Sequence, residues 1–182
     1  AFLIAAYERL DTAYGDLAPA VVDECYRATL DWFGSALAGA LEPPARIAQR
    51  VVQAFGAGDE STVLGVGRGS APAAALANGV ASHILELDDV HKGSTLHAAA
   101  PVISAALAVA EREHASGRAL ALAIALGYDA SLRIGEAVNP SHYRYWHPTG
   151  TAATFGAAAA AGSILRLTSS QMLDALGTAG TQ

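Results

Sequence analysis

Cysteine and lysine each occur only once among the 182 residues, and aromatic residues make up only 7% of the chain. The lone cysteine, Cys25, excludes an intramolecular disulfide and the zinc sites that need paired cysteines. The single lysine, Lys92, and a formal net charge of −6 disfavour binding to nucleic-acid phosphates. We therefore expect a protein of a reducing, cytoplasmic compartment that does not bind nucleic acid.

Long, strongly apolar runs are also missing. The two longest uncharged stretches, residues 69–85 and 145–165, consist mainly of Ala and Gly with Pro, His, Ser or Thr between them. Alanine is too weakly apolar to drive membrane insertion. The first ten residues contain Glu8 and no basic segment, so they do not resemble a signal peptide. We expect no membrane contact.

Alanine is abundant instead, with 43 of the 182 positions, and 52% of the residues are hydrophobic. A chain of this length and composition can bury a core without disulfides or a structural metal. No internal repeat or linker divides it. The sequence thus predicts an all-α fold, a single Ala-rich, bundle-like helical domain over residues 1–182.

The spacing of apolar residues and the signals for helix ends predict helices over most of the chain. The first long helix starts near Asp16, carries Cys25 as a buried structural thiol on its apolar face, and ends before Pro43-Pro44. A second helix is expected to end at Gly56 and Gly58. The stretch 61–70 is predicted to be a loop with one strand, because a short Thr-Val-Leu run is followed by three glycines at alternate positions. Its GVGRGS resembles a nucleotide-binding loop only superficially, since it lacks the order of glycines that such a loop needs. Further helices are predicted over 71–87, over 101–115 and 117–138 as a hairpin with Ser116 as cap, over 151–165, and over 171–177 after a Thr168/Gln171 capping box.

The densest polar segment lies between two predicted helices. It contains Glu86, Asp88, Asp89, His91, Lys92, Ser94, Thr95 and His97. Clustered carboxylates and imidazoles are suited to moving a proton to or from carbon. A solvated loop whose acids cap a helix explains the same pattern. Asp88, His91 and His97 also offer mixed metal ligands, although no standard metal motif is present.

A second polar segment, SHYRYWHPTGT, precedes the Ala-rich helix. His147 stands before Pro148, and the helix start that follows offers backbone N–H groups. With Thr149, Thr151 and Arg144, these groups can bind a carboxylate. An N-capping threonine beside core aromatics is the alternative interpretation.

Three ordered motifs carry a resemblance. The segment 76–111 resembles the signature of the MmgE/PrpD family, which has an Asn-Gly helix, an Asp-Asp-Thr-His-like turn and a histidine before the next helix. Its sequence is LANGVASHILELDDVHKGSTLHAAAPVISAALAVAE. YWHPTGTAATFGAAAAAGSIL resembles the family's His-Pro-Thr-Gly-Thr segment, and LDWFGSALAGA its first long helix. The similarity runs from about residue 18 to residue 182.

The resemblance implies a helical domain followed by an α/β lid, a homodimer, and chemistry on small polycarboxylates without cofactor or metal. The family reactions are 2-methylcitrate dehydration, cis-aconitate decarboxylation and iminodisuccinate epimerisation, and a 2-methylcitrate dehydratase-like lyase is the leading expectation. His97 and His147 are expected to transfer protons, with Asp89 as their partner. The substrate-binding residues implied are Glu86, Asp88, His91, Lys92 and Thr149.

The sequence also departs from the family pattern. Val90 stands where threonine is usual, Glu86 where aspartate is common, and Ala98-Ala99 where a polar pair follows the histidine. Family members are more than twice as long, so their lysine, a further histidine and the lid are expected beyond Gln182. A non-catalytic helical or dimerisation module is the alternative function.

Overall fold

A computed structural model describes residues 14–54 and 58–181 of the chain. This part contains seven α-helices, one β-hairpin and short 3-10 turns at Tyr14–Asp16 and His142–Arg144. The elements are α1 (Pro19–Gly39), α2 (Pro43–Ala54), β1 (Ser61–Val63), β2 (Gly67–Gly69), α3 (Ala71–His83), α4 (Ala99–Arg112), α5 (Gly117–Val138), α6 (Pro148–Ile164) and α7 (Ser169–Ala179). The all-α prediction is confirmed.

Helix α4 lies at the centre of the domain and packs against α1, α3, α5 and α6. Its buried side chains include Val102 and Ile103, which form the main core with Trp32 of α1. The indole Nε1 of Trp32 donates a hydrogen bond to Ser104 Oγ at 3.1 Å, so its one polar atom is satisfied inside the core. The predicted hairpin partners α4 and α5 are in contact.

Glycines bring α5 and α6 into close contact, the most extensive helix pairing in the described part of the chain. A Cβ atom added to Gly127 would lie 2.5 Å from Val102 Cγ1 and 2.9 Å from the carbonyl oxygen of Gly156. Since no side chain fits there, glycine is required for this approach. The Ala-rich composition therefore serves tight helix packing.

Local capping signals were predicted correctly. Ser116 accepts a hydrogen bond from the backbone N–H of Ala119 at the start of α5. Thr168 and Gln171 form the capping box at the start of α7. Cys25 is buried, and burial raises the pKa of its thiol, in keeping with a structural role.

Three element predictions need correction. The stretch 61–70 forms two antiparallel strands rather than one, paired in the register Ser61 with Gly69. The second strand was missed because glycine is uncommon in strands. Helix α3 ends at His83 instead of residue 87, and Glu86 has a φ of 50°. Helix α6 begins at Pro148, three residues earlier than predicted, because proline fits the first helical position.

The expected end of α2 at Gly56 and the interpretation of the first ten residues lie outside the described residues. Within residues 14–54 and 58–181, no helix combines the length and the hydropathy needed to cross a membrane.

Candidate active site

A cleft of about 510 Å³ opens between α3, α4 and the start of α6. Its polar wall carries His83 from the end of α3 and His147 from the start of α6, together with Thr149. Its apolar wall comes mainly from α3 and α4. The polar lining residues are His83, Glu86, Ser104, His147 and Thr149. Neither lysine nor arginine is among the described residues that line it.

His83 and Asp88 form the centre of the polar wall. His83 Nδ1 lies 3.1 and 3.0 Å from the two carboxylate oxygens of Asp88, whose side chain is fully buried. The hydrogen bond to Asp88 raises the pKa of His83 above its ordinary value of 6.5, and it outweighs the desolvation that acts against it. His83 is thus held in its protonated form at higher pH than a free imidazole.

The early end of α3 explains this pair. Residues five apart do not face each other along a continuous helix, where neighbours are three or four apart. Because the chain leaves the helix after His83 and turns at Glu86, Asp88 folds back onto the imidazole. His83 is not among the predicted site residues, because the sequence pattern places it within a longer buried helix.

His97 reaches the same carboxylate from the start of α4. Its Nδ1 lies 3.5 Å from Asp88 Oδ1 and 3.3 Å from the Asp88 carbonyl oxygen. The rings of His83 and His97 meet edge to face with centroids 4.8 Å apart. Because both Nδ1 atoms point to Asp88, the Nε2 atoms are the ring nitrogens that can exchange a proton with a ligand.

His147 and Thr149 bring α6 into the cluster. The exposed ring of His147 stacks on His83 at a centroid distance of 5.9 Å. Thr149 is buried, and its Oγ1 accepts a hydrogen bond from the backbone N–H of His97 at 3.0 Å. The N–H groups of Gly150 and Thr151 donate to the carbonyl of His147, so these two are already used within the helix start.

Asp89 faces the opposite side of the loop. One carboxylate oxygen accepts from the backbone N–H of Ala99 at 3.0 Å, which caps α4, and the other accepts from the Tyr128 hydroxyl at 2.8 Å. Burial, which outweighs these hydrogen bonds, raises the pKa of Asp89. Asp89 and His91 line a second cleft, of about 720 Å³, between α1 and α5. The structure therefore separates Asp89 from the side chains of the histidine cluster.

The remaining predicted site residues are spread around the loop. Glu86 is exposed at the rim of the first cleft. His91 Nδ1 lies 2.9 Å from Ser94 Oγ, and its Nε2 lies 3.9 Å from Glu136. Lys92 is exposed and lies outside the residues that line either cleft.

The side chains that are close enough together to ligate a metal ion are not the three that sequence spacing suggested. His83, Asp88 and His97 each offer a ligand atom, and these atoms lie within 4.8 Å of one another. His91, the third member of the triad suggested by spacing, is not in this group. Spacing failed here because a loop between helices does not keep a fixed side-chain direction.

Comparison with known proteins agrees with this arrangement of helices. A family model, the MmgE/PrpD N-terminal domain, matches residues 5–182. This chain belongs to the MmgE/PrpD family. The family prediction is confirmed, and the all-α fold is that of the family's N-terminal domain.

Curated relatives within the MmgE/PrpD family include cis-aconitate decarboxylases. The protein of that name from Aspergillus terreus is 32% identical over 181 residues, covering 93% of this chain and 36% of the relative. The Homo sapiens cis-aconitate decarboxylase is 31% identical, covering 91% and 36%. A cis-aconitate decarboxylase-like protein of Aspergillus oryzae is 28% identical, covering 92% and 37%. The chain thus spans little more than a third of the length of these relatives.

Proposed function

We propose that this chain supplies the histidine-bearing half of the active site of a lyase that acts on a small polycarboxylate. Among the family's reactions we favour decarboxylation of a cis-aconitate-like substrate, because the curated relatives carry that name. The structural observation that carries the proposal is that His83, which lines the cleft and stacks with His147, shares the buried carboxylate of Asp88 with His97. Dehydration of 2-methylcitrate, the leading expectation from the sequence, would use the same groups.

Decarboxylation requires a proton donor near the reacting carbon. The bond to one carboxylate breaks, carbon dioxide leaves, and the electron pair left on carbon is quenched by a proton. Asp88 favours the imidazolium form of His83 and holds His97 through its Nδ1. His97, His83 or His147 can then present an Nε2 proton to the substrate. His97 and His147 keep the proton-transfer roles expected of them, and His83 joins them.

Two of the predicted roles change under this proposal. Thr149 positions His97 through the backbone hydrogen bond. Asp89 positions the loop, because both of its oxygens are used by Ala99 and Tyr128. Both are positioning residues here, since neither is needed to touch the reacting atoms.

Substrate carboxylates need positive charge, and the described cleft lining offers only imidazoles. We therefore propose that the whole protein, which we expect to be a homodimer with a lid domain, contributes further cationic groups. The residues of this chain would provide the proton, and other parts of the whole protein would provide the remaining positive charge. This division fits relatives of which the chain covers 36%.

Proton NMR in heavy water tests the proposal on the whole protein, with cis-aconitate, citrate, 2-methylcitrate and an aspartate derivative as substrates. Loss of cis-aconitate with a new product signal carrying one deuterium on carbon is expected. If 2-methylcitrate is the only one of the four substrates that gives a product, the enzyme is a dehydratase instead. No turnover or exchange with any of the four would move the function to a non-catalytic module.

Variants then assign the roles. His97→Gln and His147→Gln should each reduce turnover at least about a hundredfold, the usual weight of a general acid or base. His114→Asn serves as the matched control, because His114 has a φ of 50°, which Asn tolerates, and is exposed at the end of α4. Near-normal turnover in both His97→Gln and His147→Gln would contradict the proton-transfer roles proposed for these residues.

A further inference from the structure

The group of His83, Asp88 and His97 has a second chemical use beyond proton transfer. Two imidazole nitrogens and one carboxylate are ligands that zinc and other late first-row divalent ions accept. Of the described residues, these three alone form such a group. Their convergence depends on the fold, because His83 ends α3 and His97 precedes α4.

The distances suit an ion at the centre of the group. The carboxylate of Asp88 lies 3.0 Å from His83 Nδ1 and 3.5 Å from His97 Nδ1. An ion bound tetrahedrally at the usual zinc distances keeps neighbouring ligand atoms about 3.3–3.6 Å apart. The ligand atoms of the three side chains all lie within 4.8 Å of one another, so a shift of about one ångström by one imidazole ring brings them to tetrahedral spacing.

The three side chains differ in how far they are exposed to solvent. The side chain of Asp88 is 0% exposed, whereas those of His83 and His97 are 25% and 18% exposed. The carboxylate is therefore fixed inside the protein, and the imidazoles can still be reached from solvent. Thr149 fixes the backbone of His97 by its hydrogen bond, which limits how far this ligand can move away.

We propose that His83 Nδ1, the Asp88 carboxylate and His97 Nδ1 bind one divalent transition-metal ion, with zinc as the preferred ion. The ion takes the place between His83 and Asp88 that a proton holds in its absence, and the displaced proton passes to the buffer. Three protein ligands leave one tetrahedral position for water or an anion. The site differs from the triad of Asp88, His91 and His97 that sequence spacing suggests.

Occupation of this site has a functional consequence that rests on the proposed function. A bound ion fixes His83 and His97 as neutral ligands, and the Nε2–H of a neutral ligand is a far weaker acid than that of an imidazolium, so proton delivery to the substrate slows while the ion is in place. Zinc is then an inhibitor of the lyase reaction and not its cofactor. Metal binding itself does not depend on whether the protein is a lyase, so the two proposals can fail separately.

Cobalt(II) is the probe, because its visible absorption reports the coordination of the ion directly. Titration of the purified whole protein should show one equivalent bound per chain, with bands typical of four or five ligands, and zinc should displace it. The variants His83→Gln, His97→Gln and Asp88→Asn should each weaken cobalt binding by about tenfold or more, the scale seen even for changes around a metal site. Far-UV circular dichroism checks that each variant is folded.

His114→Asn is the matched control, since it removes a histidine outside the cluster, and it should bind cobalt as the parent chain does. His91→Gln separates the two triads: unchanged affinity supports the site proposed here, and a loss equal to that of His83→Gln overturns it. Equal affinity in the parent chain, His83→Gln and His97→Gln would also overturn the proposal. The same holds if the folded parent chain gives no cobalt bands.

Discussion

The backbone N–H of His97 donates a hydrogen bond to Thr149 Oγ1 at 3.0 Å, although 52 positions separate the two residues in the sequence. This bond joins the start of α4 to the first turn of α6. It also places His97 beside Asp88 and His83, with His147 two positions away from Thr149 on the same helix start. The two polar segments of the sequence meet through this contact.

Thr149→Val should destabilise the protein and disturb the cleft together. Valine keeps the shape but leaves the N–H of His97 without its acceptor, which costs about 1–3 kcal/mol for a buried group. Urea unfolding measures the loss, and Thr149→Ser should recover most of it. Thr154→Val, at a half-buried position of α6 where the hydroxyl donates a solvent-exposed hydrogen bond to the Gly150 carbonyl, is the control and should change stability by no more than about 0.5 kcal/mol. Equal losses in the two valine variants would contradict the role given to Thr149.

Asp88→Asn should lower the pKa of His83 toward or below 6.5. The hydrogen bond and charge of Asp88 raise that pKa, while burial of the imidazole, which remains in the variant, lowers it. An NMR titration of the histidine ring signals in the parent protein and the variant measures the shift. A His83 pKa that is unchanged in the variant would show that the pair does not form.

The same pair predicts a pH dependence of stability. The folded-state pKa of His83 is raised above the unfolded value near 6.5, so the folded protein binds this proton more tightly. Its contribution is fully present below the unfolded pKa and is lost as pH rises through the folded pKa. The free energy of unfolding, measured by urea across this range, should fall with rising pH, and the fall should disappear in Asp88→Asn.

Tyr128→Phe should destabilise the protein by about 1.5–3 kcal/mol, the range for a hydrogen bond to a charged group. The hydroxyl of Tyr128 favours the ionised form of Asp89, so its removal should raise the pKa of Asp89 further. Thermal unfolding and a carboxyl NMR titration measure the two effects. Tyr143→Phe, an exposed tyrosine near α6, is the control and should have neither effect.

Gly127→Ala should destabilise the protein by about 1–3 kcal/mol, because the added methyl group overpacks the contact between α5 and α6. Gly34→Ala in α1 is the same change inside a helix with no atom within 4 Å of the added Cβ. It should stabilise the protein by as much as about 1 kcal/mol through helix propensity. Opposite signs in urea unfolding are the expected result. A destabilised Gly34→Ala or a neutral Gly127→Ala would contradict this account of the helix pairing.

Much of the helical layout could be predicted because its signals are local. The caps at Ser116 and Thr168 and the prolines Pro43-Pro44 at the start of α2 act within one helical turn. The start of α6 was predicted three residues late, although Pro148 is a local signal for it. The end of α3 was predicted less accurately, since tertiary contacts decide where that helix stops. The hairpin at 61–69 was half predicted for a related reason: its second strand consists of Gly-Arg-Gly and is held by pairing with the first.

The sequence by itself determined the helical class, the family and the two segments that hold the site, because composition, caps and ordered motifs lie within short stretches of chain. The tertiary structure alone decided which side chains meet. In the folded chain His83 joins the cluster and Asp89 bonds to Tyr128. His91 and Lys92 lie outside the residues that line the cleft beside His83 and His147. The physical reason is that a side chain's direction in a loop depends on where the preceding helix ends and on what packs behind it, and neither is encoded by spacing.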